Sequence, residues 1–240
     1  MVCRLSKKIE KGENKVAVLT QKDFQREIKH VGKMFDYFFK IFKFLTEHSG
    51  DFFTEHDYMK WSIMLLFLRN FRIFRCAYRA MLNGYYEVAI AMLRMAFENH
   101  LLMFFLLTRE KEAENWWHGK KFAPRFLKSE VRKDWSYDTV YRNLSVLIHA
   151  NFEVTKFFSN PKDRDLAVWI TNYNPKRFVE SLHPLLYFGV GTLMIMPMAF
   201  KDKLIFAYAL TKEVQKLSSS TKRLLRNARK KYEKKEEMVK

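Results

Sequence analysis

The stretch GYYEVAIAMLRMAFENHLLMFFLL, residues Gly84 to Leu107, is apolar on almost every side when it is drawn as a helix. A helix of this kind is buried in a protein core rather than laid on its surface. It nevertheless carries Glu87, Arg94 and Glu98, which spacings of seven and four residues place on one side. Because an unpaired buried charge is costly, we expect these side chains to meet water, a polar group on another helix or a ligand.

Apolar residues at helical spacing continue on both sides of this stretch, and no strand-like alternation persists anywhere. We therefore predict an all-α fold, a single helical bundle of about six to eight helices. Its domain covers residues 20–217, between a polar N-terminal arm (1–19) and a basic C-terminal helical tail (218–240). The predicted helices are Thr20–His48, Thr54–Leu82, Gly84–Leu107, Glu110–Trp117, one after Pro124, Tyr137–Phe158, a short one at Asp163–Ile170, one from Asn174 towards Phe200, and Lys203 to the end.

The composition indicates a polyanion as the partner, since the formal net charge is +18. RNA, DNA and an anionic membrane surface all remain open, as does a protein that merely has a basic solubilising tail. Two cysteines and the lack of an apolar leader favour a reducing cytoplasm. The apolar run Leu185–Phe200 is shorter than the roughly 20 residues of a membrane span. We interpret it as a buried core helix rather than a membrane-embedded segment, so a membrane is not the expected partner.

Two groups of basic residues are the candidate nucleic-acid-binding positions. The first lies at spacings of three or four in the second predicted helix, and the second lies in the C-terminal tail. The alternative for the first group is a solvated helix face whose side-chain stems cover apolar neighbours. The candidates are Arg69, Arg72, Arg75 and Arg79, followed by Arg226, Arg229 and Lys230.

The stretch DTVYRNLSVLIHANFE, residues Asp138 to Glu153, is the candidate catalytic segment. Spacings of three and four put Arg142, Ser145 and His149 on one helical face, while Leu144 can face the core. Histidine exchanges protons near neutral pH, and the arginine fork matches phosphate oxygens. Such a pair suits RNA cleavage without a metal. The alternative is a structural histidine bonded to Ser145 or a backbone carbonyl, beside an exposed arginine. The sequence contains no motif for a metal or another cofactor, and we expect none.

Two short patterns resemble a known family. The segment NGYYEVAIAMLRMAFEN is similar to the signature of an uncharacterised all-helical prokaryotic family, with Arg-x-x-x-Glu at Arg94 and Glu98 and a later Ser-x-x-x-His at Ser145 and His149. The similarity covers roughly Trp61 to Phe152. That family in turn resembles the HEPN superfamily of helical bundles, many of which are metal-independent RNases of defence and toxin–antitoxin systems. Their hallmark, an arginine, a polar residue and then a histidine, is matched by Arg142, Asn143 and His149.

The resemblance implies a HEPN-like core, a homodimer and an endoribonuclease in a defence or toxin-type context, with an antitoxin or other partner protein. Arg142 would contact phosphate, His149 would move protons, and Asn143 and Ser145 would orient them. Arg94 and Glu98 would support them, and we expect these two to meet Ser145 and His149 between their helices. Two alternatives stay open. One is a non-catalytic helical module that binds nucleic acid or a protein, and the other is a peripheral membrane protein.

Overall fold

Eight helices and no strand make up the part of the chain that the structure, a computed structural model, describes: residues 2–48, 50, 53–131, 144, 173–201 and 204–237. The predicted all-α fold is therefore confirmed for these residues. The helices are α1 Val2–Asp23, α2 Gln25–Glu47, α3 Tyr58–Leu82, α4 Tyr86–Leu106, α5 Glu110–Trp117, α6 Pro124–Val131, α7 Pro175–Ala199 and α8 Leu204–Glu237.

Helices α3 and α4 form the antiparallel hairpin at the centre of the bundle. The turn between them requires a positive φ, and Gly84 adopts +86° there. The backbone N–H of Tyr85 donates to the carbonyl of Ala80 and closes the end of α3. The predicted burial of α4 is confirmed, because side chains such as Leu93, Phe97 and Leu101 are inaccessible to solvent.

Helix α7 runs parallel to α4 and packs against both helices of the hairpin. It begins as predicted: Pro175 is in the first turn, and the Asn174 side chain accepts a hydrogen bond from the backbone N–H of Arg177. The rings of Phe97 and Phe188 lie 5.2 Å apart between the two helices. Most of the apolar run at residues 185–200 is buried, as predicted.

Within the described ranges, α4 and α7 are both long and apolar enough to cross a membrane by length and composition alone. The buried fraction of their most apolar windows is 56% in α4 and 67% in α7. Core helices of a bundle have the same composition and the same burial, so these two measures do not separate the alternatives.

The remaining helices enclose this centre. Helix α2 reaches α3 through large aromatic rings, among them Phe38, which stacks on Phe67 with 4.8 Å between centroids. Helix α8 packs on α7 and α2, α5 packs on α3, and α6 packs on α4. Helices α5 and α6 have the positions predicted from the sequence.

The first helix differs from the prediction. Thr20 does not begin a helix that continues to residue 48, because it lies inside α1, where its side chain is fully buried. The break comes at Phe24, and α2 starts at Gln25. Two side-chain contacts hold the polar helix α1 on the bundle: Tyr85 donates a hydrogen bond to Glu13, and the Tyr173 hydroxyl donates one to Asp23. At the other end of the chain, α8 runs without interruption through residues 217 and 218.

Candidate nucleic-acid interface

The four arginines of α3 lie along one exposed side of that helix. Their spacing follows the helical repeat, and the buried residues Asn70, Ile73 and Ala77 occupy the opposite side. Among the described residues, no carboxylate forms an ion pair with any of the four. The row, Arg69, Arg72, Arg75 and Arg79, is called the arginine row below and is about 15 Å long at 1.5 Å per residue.

Elsewhere on the described surface, some exposed lysines pair with a nearby acid. These pairs join side chains on one helix or on neighbouring segments, with N···O distances of 2.8 to 3.7 Å. They are Lys43 with Glu47, Lys111 with Glu114, and Lys120 with Glu112. The arginine row has no such pair, and neither do other exposed cations of the described chain, such as Lys7, Lys11 and Lys15 of α1. Like charges three or four residues apart on a helix repel one another by a few tenths of a kcal/mol per pair, so the row is electrostatically unfavourable in the free protein.

Helix α8 carries the second basic surface. Arg226, Arg229 and Lys230 are all exposed there. Nearer the start of the same helix, a shallow crevice of about 450 Å³ is lined by polar and basic side chains: Lys212, Gln215, Lys216, Ser219, Ser220 and Arg223. The hydroxyl groups of Ser219 and Ser220 donate to carbonyls of α8 itself. These two hydroxyl groups are thus used within the helix, and the positive charge of the crevice comes from its lysine and arginine side chains.

A buried hydrogen bond attaches α8 to the bundle. The Nε2 atom of His30 on α2 and the hydroxyl of Thr221 on α8 share a hydrogen bond of 2.7 Å. Burial, and to a lesser degree the nearby Lys33, lowers the pKa of His30 below 6.5. The imidazole is therefore neutral at physiological pH, which suits a buried partner that carries no charge.

Two of the three charged residues of α4, Arg94 and Glu98, form a pair with each other. The Arg94 Nε donates to the Glu98 carboxylate at 3.2 Å, and about a quarter of each side chain remains exposed. Glu87, on the same side of α4, is exposed to solvent. These charges therefore have the environments that we expected, because Arg94 and Glu98 pair with each other and Glu87 is exposed to water. Whether Ser145 and His149 join the Arg94–Glu98 pair stays a prediction, because both lie outside the described residues.

The predicted catalytic residues Arg142, Asn143, Ser145 and His149 all lie outside the described residues. Within that segment the structure describes Leu144, which is helical and only 4% exposed. The prediction that Leu144 faces the core is therefore confirmed. The predicted short helix at residues 163–170 also lies outside the described residues.

A buried polar network that the sequence analysis did not single out links α3, α4 and α7. The Asn99 side-chain amide donates to the Asn70 side-chain oxygen at 2.9 Å, and the Asn70 amide donates to the Thr192 hydroxyl at 3.3 Å. These three residues are at most 7% exposed. In the sequence, the sign of this network is one asparagine within each of two largely apolar helices, α3 and α4. Hydrogen bonds of this kind fix the register of packed helices, because a shift would leave buried amides without partners.

His100 lies beside this network but does not join it. Its side chain is 1% exposed, and its ring contacts Phe104 and Phe188 at centroid distances of 4.9 and 6.1 Å. Among the residues that the structure describes, its Nδ1 atom finds no hydrogen-bond partner. Burial lowers the pKa of this imidazole to about 3. His100 is therefore a neutral core residue and a poor candidate for proton transfer at neutral pH.

The residues that the structure describes contain no group of three histidine, cysteine or acidic side chains arranged to hold a metal ion. Comparison of the chain with protein-family models, with curated proteins and with solved structures finds no match. The resemblance to the HEPN superfamily therefore rests on the sequence pattern of Arg142, Asn143 and His149, and the Arg94–Glu98 motif lies outside the hallmark of that superfamily.

Proposed function

We propose that this protein binds RNA and that the arginine row contacts its phosphate groups. The observation that carries the proposal is the row itself: four exposed guanidinium groups on one side of α3, none paired with a carboxylate among the described residues. Arginine forks match the oxygens of a phosphate, and a polyanion relieves the repulsion within the row. The basic surface of α8 and a net charge of +18 extend the positive field that attracts such a ligand.

The test is the salt dependence of RNA binding by a variant in which all four arginines of the row are glutamine. Each phosphate contact to a single strand contributes about 0.7 to the slope of log affinity against log salt. Loss of four contacts should therefore flatten the slope by about 2.8 and weaken binding at low salt. Affinity is measured by fluorescence anisotropy of a labelled RNA at several salt concentrations.

The matched control removes the same charge from α1. Lys7, Lys8, Lys11 and Lys15 are all exposed there, so their replacement by glutamine lowers the net charge equally. This control should retain most of the affinity and the slope. Equal losses in the two quadruple variants would show that net charge alone attracts RNA and that the arginine row is not the contact surface.

RNA cleavage is the second proposed function, and the spacing of Arg142 and His149 favours it. In the predicted helix these two residues lie on the side opposite Leu144. Because Leu144 is buried, the opposite side of that predicted helix is compatible with access to a ligand. We propose that a HEPN-like homodimer in the cytoplasm, acting in a defence or toxin-type context, cuts RNA without a metal. Arg142 would stabilise charge on phosphorus, His149 would transfer protons, and Asn143 and Ser145 would orient them, with the Arg94–Glu98 pair as support.

The cleavage proposal is tested with purified wild type and His149→Ala in the presence of EDTA, with thermal melting of both proteins. Cleavage by the wild type alone, with equal melting temperatures, would support the proposal. If neither protein cuts RNA and the variant melts much lower, His149 is a structural residue. The non-catalytic module, which binds nucleic acid or a partner protein, would then be the better description.

A further inference from the structure

The surface where α2 meets α3 combines aromatic rings with cations. Phe35 of α2 packs against Phe71 and Tyr78 of α3, with centroid distances of 6.0 and 5.8 Å. The guanidinium carbon of Arg75 lies 5.6 Å from the centre of the Phe35 ring. One member of the arginine row is therefore held over an aromatic side chain, within the range of a cation–π contact.

Phe39 lies one helical turn after Phe35 and is 60% exposed. Residues four apart share a side of a helix, so Phe39 stands on the side of α2 that leads to α3. Among the described phenylalanines it is the most exposed, while rings such as Phe38 and Phe74 are fully buried. Full burial of a phenylalanine side chain contributes about 1.5–3 kcal/mol, and the exposed Phe39 ring gains only part of this in the free protein.

Charges of both signs lie near Phe39 on α2, where the exposed Asp36 precedes it by three residues, whereas every charged residue of α3 is a cation. Lys40 and Lys43 follow it on α2, and Arg72 is exposed beside Arg75 on α3. Lys43 pairs with Glu47 at 3.7 Å, and the Lys40 amine lies 5.4 Å from the centre of the Tyr37 ring. An exposed ring beside a helix whose charges are all positive is suited to an unpaired nucleotide, because the base can stack on the ring while phosphates meet the arginine row.

We propose that Phe39 is a stacking site for an unpaired base and that it makes the protein prefer single-stranded over double-stranded RNA. The inference rests on the proposed RNA binding by the arginine row. Bases of a duplex are already stacked on one another and do not offer a free face to a protein side chain. Phosphate contacts, in contrast, are available in both forms of RNA.

The experiment compares a labelled oligouridylate with a labelled RNA duplex, using wild type, Phe39→Ala, Phe39→Leu and Phe39→Trp. Loss of one stacked base should weaken binding to the single strand about tenfold in the alanine and leucine variants. The tryptophan variant should bind as wild type does, and the duplex should bind all four proteins equally. Phe39→Leu separates stacking from apolar contact, because leucine keeps the bulk and lacks the π face. Val18→Ala, which removes part of another exposed apolar side chain (64%) on α1, is the control.

Several outcomes would overturn the inference. Wild-type affinity of Phe39→Leu for the single strand would exclude stacking, and equal losses for the two RNA forms would exclude strand selection. If Phe39→Ala instead dissociates an oligomer seen by light scattering and leaves RNA affinity unchanged, this surface joins two copies of the chain. A failure of the proposed RNA binding itself gives a different result. The wild type would then bind neither RNA, or the variant with all four arginines of the row replaced by glutamine would bind RNA as tightly as the wild type.

Discussion

Gly191 should not tolerate even the smallest side chain, because it faces His100. An ideal Cβ built on Gly191 would lie 2.7 Å from Cε1 and 3.3 Å from Nε2 of the His100 ring. Carbon atoms normally approach no closer than about 3.5 Å. The imidazole cannot move aside easily, since Phe104 and Phe188 contact it and only 1% of it is exposed.

Two opposing effects set the size of the change in Gly191→Ala. Alanine in a helix interior is favoured over glycine by about 0.8–1.0 kcal/mol. Overpacking of a core costs about 1–3 kcal/mol, and a contact this short lies towards the upper end. We expect a net loss of about 1–2 kcal/mol in the free energy of unfolding. For a chain of this length the melting temperature should fall by about 2–8 °C.

The assay is urea denaturation together with thermal melting, and the chain supplies a matched control. Gly32 is an exposed glycine in the interior of α2, and nothing lies within 4 Å of its ideal Cβ. Gly32→Ala should therefore stabilise the protein by about 0.5–1 kcal/mol. A double-mutant cycle of Gly191→Ala with His100→Ala should show coupling, because the shortened side chain makes room for the methyl group. The reasoning is refuted if Gly191→Ala stabilises the protein as Gly32→Ala does, or if the cycle is additive.

Two further predictions concern buried polar groups. Below pH 6.5 the His100 imidazole binds a proton in the unfolded chain. In the folded protein the pKa of this imidazole is about 3, so it stays unprotonated through most of this range. Stability should therefore fall as the pH falls through this window, by at most about 1.4 kcal/mol per pH unit from this group, and His30 acts in the same direction. Urea titrations from pH 7 to pH 4 should show a weaker pH dependence in His100→Leu, and equal slopes would contradict the assignment. Asn70→Ala leaves both Asn99 and Thr192 without their partner and should cost about 2–4 kcal/mol, whereas Asn99→Ala deprives Asn70 alone and should cost about 1–2 kcal/mol. Equal unfolding free energies for these two variants would contradict this count of lost hydrogen-bond partners.

The sequence predicted best those elements whose signals are local. The apolar stretch around Leu93, the break between the helices predicted to end at Leu82 and to begin at Gly84, and the helix start at Asn174 each have their determinants within a few residues, and the structure has all three. The exposure of the arginine row also followed from its helical spacing.

The first helix could not be predicted in the same way, because α1 is polar and is held by distant residues. Its contacts come from Tyr85 and Tyr173, which lie far along the chain. The exposure of Phe39 could not be predicted from the sequence either. In the sequence it is one of several phenylalanines at helical spacing, and only the packing of α2 on α3 decides which rings are covered. The Asn70–Asn99–Thr192 network depends on the relative register of three helices, which no local pattern specifies.

The hydrogen bond between His30 and Thr221 also bears on how the protein is made. These residues are separated by 191 positions, so α2 leaves the ribosome long before its partner on α8 is synthesised. At common translation rates the delay is on the order of ten seconds or more. During that interval the apolar side of α2 has no α7 or α8 to cover it. A nascent chain of this kind is a natural client of chaperones that bind exposed apolar helices, and slow translation before residue 175 should increase its aggregation.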